Sequence, residues 1–273
     1  MEHLLEYLHT APLSDPGILG IIIFTGFLVG FVNTVAGMAT AVSYALFMSM
    51  GMPINVANGT TRFGVLSQFL VSSIIFKKKG YLDLNTGTRV GVPVAIGALL
   101  GAELAAVLRP HIIEVIMGIL LPVMAVLLFI DTGALSRRRQ AAESGSAKNN
   151  GTRPFRWWKS LAFVLVGIYG GFTHAGVGLL IIFGSFFMLG LDMLRANAIK
   201  QFAVVIYTPI ALAVFIWHGQ INWPVALIYA VGNIAGGVAG SYASIKGGAR
   251  FIRICVAAAI FIMSFWLLYK QFS

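Results

Sequence analysis

GFTHAGVG, residues 171–178, is a glycine-punctuated apolar stretch holding one histidine, and 141 residues earlier the chain reads GFVNTVAG, residues 30–37. The alignment sets His174 against Asn33. Three further blocks follow in the same order: GMPINVANGTTRF, 51–63, against GLDMLRANAIKQF, 190–202; GYLDL, 80–84, against GQINW, 219–223; and GALLGA, 97–102, against GGVAGS, 236–241. The spacing is 141 at the first block and 139 at the other three, which requires one small gap. Chance supplies any one of these pairs; four in order point to an internal duplication.

Both copies lie in an apolar chain. Of 273 residues, 58% are hydrophobic and 10% charged, against about 25% charged in a soluble domain. Residues 18–61 and 160–191 contain no Asp, Glu, Lys or Arg, nor do residues 201–245, whose single histidine is His218. At about 20 residues per crossing, each run accommodates more than one pass, or one pass and a partial one. Short alternating segments of a membrane barrel are absent. The expected class is therefore an all-α polytopic membrane protein. The start, 1–17, has acidic residues and no Lys or Arg, so it reads as a surface segment rather than a cleavable signal.

The net charge of +10 would suit nucleic acid if it formed a patch on a soluble domain. Instead Lys77, Lys78 and Lys79 close one apolar run, and Arg137, Arg138, Arg139, Lys148, Arg153, Arg156 and Lys159 fill the polar stretch 131–159. That placement follows the positive-inside rule and excludes nucleic acid as a partner. The expected domains are 1–17, a first membrane repeat 18–130, a basic cytoplasmic linker 131–159 and a second repeat 160–270. Helices are predicted near 18–35, 38–50, 62–77, 88–108 and 112–130, then 160–176, 178–190, 199–217, 224–245 and 251–269. The segment 38–50 would rise only about 20 Å against a core of about 30 Å. If each short opening pair makes one broken crossing, the repeats run parallel with four crossings each. If each pair counts as two passes, the repeats are inverted, 5+5. The inverted scheme places Arg195, Lys200, Lys246, Arg250 and Arg253 on the side of the linker and is favoured.

Broken helices inside a membrane line cavities or bind ligands, and a matched pair of them marks the binding region of a secondary transporter. Polar residues gather there: Asn33, Thr34, Asn58, Thr60, Thr61 and Arg62 in the first half, His174, Asn197, Lys200 and Gln201 in the second. Arg62 and Lys200 read either as cations on an anion path or as side chains snorkelling to the lipid boundary. Asn58 and Asn197 read either as ligand contacts or as caps of the helices that follow. His174 is either a neutral core imidazole bonded to a carbonyl or a cavity-facing group that contacts substrate or takes up a proton. Glu103, inside an apolar segment, is the candidate for coupling to a proton or sodium ion. A lone Cys255 excludes a disulfide and a multi-cysteine metal site. The familiar catalytic motifs are missing, so no enzyme, cofactor or metal is expected.

The residues 26–63, GFLVGFVNTVAGMATAVSYALFMSMGMPINVANGTTRF, and 167–202, GIYGGFTHAGVGLLIIFGSFFMLGLDMLRANAIKQF, resemble the TauE/SafE, or sulfite exporter, family. The resemblance runs from about 18 to 269 and implies a multi-pass permease of the cytoplasmic (inner) membrane. It would move a small anion such as sulfite or an organosulfonate by alternating access, with membrane lipids, a coupling proton or sodium ion and a second copy of the chain as candidate partners. An anion channel and a noncatalytic membrane scaffold are the alternatives. By the same resemblance Gly37 and Thr60 belong to a first half-site, and Gly176, Gly178 and Lys200 to a second. The chain departs from the family's GxGGG pattern at VAGMAT, 35–40, and keeps only GVG at 176–178, a departure that implies a larger or shifted binding cavity.

Overall fold

A computed structural model describes residues 2–117 and 157–272, with side chains omitted for 2–5, 253 and 256–272. The expected helix 112–130 beyond residue 117, and the linker as far as 156, lie outside the described residues. The elements are α1 Glu2–Thr10, α2 Pro16–Val35, α3 Thr40–Ser49, α4 Ile54–Lys78, α5 Leu84–Val107, α6 Trp157–Thr173, α7 Val177–Phe183, α8 Met193–Trp217 and α9 Trp223–Phe272. Residues 110–117 are also helical. A wide π-type turn, Gly184–Met188, extends α7, and Gly248 at φ +63° kinks α9 within the predicted gap between 245 and 251.

Four described helices are long and apolar enough to cross a bilayer: Pro16–Val35, Leu84–Val107, Met193–Trp217 and Trp223–Ile252. The all-α polytopic class follows. Aspartates start three of the helices. Asp15 accepts from the amides of Gly17 and Ile18, Asp83 from Asn85 and Thr86, and Asp192 from Leu194 and Arg195, satisfying N–H groups that the helix cannot. The Thr86 hydroxyl donates to Asp83 at 2.5 Å and holds its carboxyl below the ordinary carboxylate range. Its capping contribution is therefore complete above the ordinary range and is lost as pH falls through the lowered pKa.

The packing interlocks the two halves of the chain. The first helix of each half lies along a late helix of the other: α2 against α9, and α6 against α5. A Cβ on Gly26 would meet the carbonyl of Tyr229, and one on Gly30 that of Asn233. Gly236 similarly abuts Phe27 and Phe31, while Gly97 abuts Val164 and Ile168, and Gly101 abuts Ile168 and Phe172. Glycines four residues apart thus let backbones touch, and dispersion at that distance holds the bundle in an apolar solvent. These contacts advance together along both chains, so α2 runs with α9, and α5 with α6. Gly64 beside Tyr229 and Gly237 beside Gln68 show that α4 also runs with α9. Gly87 beside Phe202 and Gly91 beside Ile206 align α8 with α5. Arg62 lies near Phe215 and Lys200 near Phe69, so α4 and α8 run in opposite directions.

These directions collect Lys77, Lys78, Arg89, Lys159, Arg195, Lys246 and Arg250 at one end of the bundle. The other end carries Glu6, His9, Asp15, Glu103, Arg109 and His218. Two expected boundaries were wrong. Helices α4 and α8 begin at Ile54 and Met193, not near 62 and 199, because the polar ANGTTR and ANAIKQ stretches are helical and turn their side chains inward. The capping reading of Asn58 and Asn197 falls with them. Pro53 and Asp192 occupy the N-cap positions.

Gly236→Val should lower the thermal unfolding midpoint in detergent, by an overpacking cost of about 1–3 kcal/mol. Gly20→Val, where nothing lies within 4 Å of an added Cβ, should leave it unchanged. Equal shifts for both would remove backbone contact as the basis of the packing.

Candidate functional site

Helices α2 and α6 both stop inside the bundle, and each stop leaves carbonyls with no helical partner. At the end of α6 the Arg62 guanidinium donates from Nη1 to the Gly170 carbonyl at 3.3 Å and from Nη2 to that of Gly171. Asn58 Nδ2 donates to the Phe172 carbonyl at 2.7 Å, and the Tyr44 hydroxyl to that of Thr173. Asn58 Oδ1 in turn accepts from Arg62 Nε at 3.2 Å and Nη2 at 3.0 Å. At the end of α2 the Lys200 ammonium donates to the carbonyls of Asn33 at 2.8 Å and Thr34 at 2.9 Å. Gln201 Nε2 joins it on Thr34 at 2.9 Å. Each cation therefore comes from one half and holds the broken helix of the other.

Both cations are wholly buried, at 0% exposure. That removes the snorkelling reading. The face of Phe215 lies 4.9 Å from Arg62 Cζ, and the face of Phe69 lies 5.6 Å from Lys200 Nζ, within cation–π range. No Asp or Glu is among the described buried residues. The two positive charges are met by carbonyl dipoles and helix C-termini, which favour cations, but by no carboxylate.

The two breaks touch at Gly37 and Gly178. An added Cβ on either would lie 2.8 Å from an atom of the other, so no larger side chain fits the crossing. Gly37 and Gly176 also turn the chain at φ +83° and +80°. Asn33 closes the first break, donating from Nδ2 to Thr40 Oγ1 at 2.9 Å and accepting the Ala39 amide at 2.7 Å. His174 closes the second at φ +56°, the single non-glycine residue of positive φ among those described. Its Nδ1 shares a hydrogen with the Tyr207 hydroxyl at 2.5 Å, and Phe69 approaches its ring edge-on at 6.3 Å between centroids.

The structure thus brings Asn33, Thr34, Gly37, Asn58, Arg62, His174, Gly178, Lys200 and Gln201 around the two breaks. Asn197 joins through its Oδ1, which accepts from Gln201 at 3.2 Å. Gly176 forms the turn of the second break. Thr61 bonds back to its own helix at the Asn58 carbonyl, and Thr60 accepts the Asn222 amide at 3.0 Å near the bundle end. Glu103 stands apart: its side chain is 53% exposed and lies 3.1 Å from His218. Tyr44 and Tyr207 were missed. Tyr207 lies two turns beyond Lys200 on the same helix face, but an aromatic residue in an apolar run carries no polar signal of its own, and Tyr44 has no such neighbour among the residues chosen from the sequence.

The family model for Sulfite exporter TauE/SafE matches residues 22–267. The chain belongs to that family. A Haemophilus influenzae protein described as a probable membrane transporter is 24% identical over 93% of this chain and 96% of its own length. The probable membrane transporter protein ORF9 of a Sinorhizobium species is 23% identical over 90% and 93%, respectively. The probable membrane transporter protein YfcA of Escherichia coli K12 is 22% identical over 98% and 96%. No solved structure matches the chain. As a TauE/SafE member the chain is a multi-pass protein of the inner membrane, of transporter rather than enzyme type.

His174→Ala and His174→Gly both remove the imidazole, but alanine retains a Cβ in left-handed backbone. The alanine variant should be the less stable by about 1 kcal/mol. Thermal unfolding of the two in one detergent reads this directly, and a more stable alanine variant would remove strain at this turn.

Proposed function

We propose that the chain carries a small anion, of the sulfite or organosulfonate class, between two inverted repeats of five segments by alternating access. The observation that carries the reading is the pair of buried cations, Arg62 and Lys200, with no carboxylate beside them. Burying a charge costs several kcal/mol even after relaxation, and carbonyl dipoles offset only part of it. An anion between the breaks would supply the missing charge. Asn197 Nδ2 and Thr173 Oγ1, fully buried and without a hydrogen-bond partner in the described protein, are further donors for its oxygens.

The inverted arrangement draws support from helix direction: α2 runs with α4, while α6 runs with α8 and opposite to them. The charge distribution agrees, since the Lys/Arg-rich end would face the cytoplasm. Gly37, Gly176 and Gly178 then let backbone approach the ligand, and Asn33, Thr34, Asn58, Thr61 and Gln201 shape its surroundings. Thr60 would act from the edge. Glu103 remains a candidate for proton or sodium coupling only as a group at the outer end, paired to His218. Because Arg62 and Lys200 each hold the opposite repeat, an anion that engages them acts on the joint that has to move.

Lys200→Gln retains an amide donor for the Asn33 and Thr34 carbonyls and removes the charge. It should weaken binding of the preferred anion by at least about tenfold, the effect of roughly 1.4 kcal/mol, while the variant stays folded. The measurement is calorimetric binding and counterflow in liposomes over sulfite, sulfate, sulfoacetate, taurine and short carboxylates. Unchanged affinity for every anion bound, or conductance of many ions per opening, would sink the carrier reading. His174→Asn, tested alongside, should retain binding if the site needs a hydrogen-bonding group and lose it if it needs imidazole.

A further inference from the structure

The repeat equivalence, 141 residues for α2 and 139 for α4 and α9, matches the α2, α4, α9 seam to the α6, α8, α5 seam. The two seams are packed alike but are chemically unlike. Gln68 corresponds to Tyr207, Ser72 to Ala211, Asn233 to Val94, Ser241 to Ala102 and Ser244 to Ala105. All ten are fully buried. At four of the five pairs the first seam is polar where its counterpart is alanine or valine; at the fifth, Gln68 is matched by Tyr207, whose hydroxyl is committed to His174.

Gln68, Ser72 and Ser241 form, with Thr34, a connected series leading away from the broken helices. Gln68 Nε2 donates to Thr34 Oγ1 at 2.9 Å, and Thr34 Oγ1 lies 3.4 Å from Ser72 Oγ. Ser72 and Ser241 both donate to the Gly237 carbonyl, at 3.3 and 2.7 Å. Ser244 lies one turn further along α9, just before Lys246, at the basic end of the bundle. Three atoms of the seam, Gln68 Oε1, Asn233 Oδ1 and Ser244 Oγ, have no hydrogen-bond partner in the described protein. Buried polar groups of that kind are costly when left unpaired and are the usual partners of internal water. In the counterpart stretches 94–106 and 207–215, Thr208 Oγ1 is the one described buried polar side-chain atom without a partner, and Val94, Ala98, Ala102, Ala105 and Ala211 offer water nothing.

We infer that the α2, α4, α9 seam is a hydrated route from the cytoplasmic end to the central site, and that the α5, α6, α8 seam is a dry, packed gate on the opposite side. The inference takes its orientation and its central site from the function proposed above. Water reaches the breaks along serine and amide groups, and it is by this seam that a solute from the basic end arrives first. The carrier is built with one wet and one dry half although its repeats are related in sequence.

Accessibility to thiol reagents tests this on the full chain. With Cys255, the single cysteine, replaced as Cys255→Ser, cysteines are introduced one at a time as Ser72→Cys, Ser241→Cys and Ser244→Cys in the wet seam. Ala211→Cys, Ala102→Cys and Ala105→Cys occupy the matched dry positions. Inverted vesicles are treated with two impermeant methanethiosulfonates, one sulfonate-bearing and one trimethylammonium-bearing. The serine-derived cysteines should react at least about tenfold faster than their alanine-derived counterparts, since reaction follows thiolate access to water. Equal rates, or faster reaction in the alanine seam, would overturn the inference. A wet seam with no preference for the anionic reagent would count against the anion reading alone. Hydrogen exchange on the unsubstituted protein gives a second readout: amides in 68–76 and 237–245 should exchange faster than those in 94–106 and 207–215, and the reverse order refutes the wet seam whatever the variants do.

Discussion

A helix that stops inside an apolar medium must find partners for its last carbonyls, and every other feature of the central region follows from that requirement. Water satisfies such groups at a protein surface; here side chains have to do it. Charge-assisted donors are roughly twice as strong as neutral ones, which favours Arg62 and Lys200 over amides alone. Their burial has an opposing cost, because carbonyl oxygens and helix C-termini carry partial charges only. The two terms leave a centre that is well hydrogen-bonded and yet electropositive.

The two halves meet this requirement with different side chains. On the alignment of the two halves Arg62 falls against Gln201 and Thr61 against Lys200, so the cations of the proposed repeats stand one position apart. A one-residue shift turns a helical side chain by about 100°, and the amide or hydroxyl at the matching position takes a different role in each copy. Gln201 still reaches the Thr34 carbonyl, whereas Thr61 folds back on its own helix. What the copies share is a positive charge at the C-terminal end of the partner's broken helix. Electrostatics at the break, more than register, is the common element.

Much of this was legible in the sequence because membrane solvent imposes simple rules. Charge-free runs gave the class, the paired glycine motifs gave the breaks, and Arg62 and Lys200 stood out as cations beside apolar helices. The starts of α4 and α8 were misread for a physical reason: Asn58, Thr60 and Thr61 look like turn residues to propensity, but a membrane bundle buries such groups in its interior and leaves its apolar residues facing lipid. Periodicity also cannot show that Arg62 bonds α6 rather than water, since that contact joins residues over a hundred positions apart. Tyr44 and Tyr207 were hidden similarly, because an aromatic in an apolar run carries no polar pattern until its hydroxyl has an address. His174 was singled out for its ring. Its backbone turn, which a sequence does not display, is equally distinctive.

The cross-attachment of the cations bears on movement. Arg62 belongs to the first half and holds α6; Lys200 belongs to the second and holds α2. Between them Gly37 and Gly178 meet backbone to backbone, a contact without interlocking side chains that can slide. In the carrier reading an anion bound at the breaks draws on the N–H donors that now tie the halves together. Its affinity then differs between arrangements in which those donors are committed and those in which they are released, and only such a difference lets a ligand shift a conformational equilibrium. The groups that stabilise this arrangement of the bundle would in this way be the same groups that make it responsive to its solute.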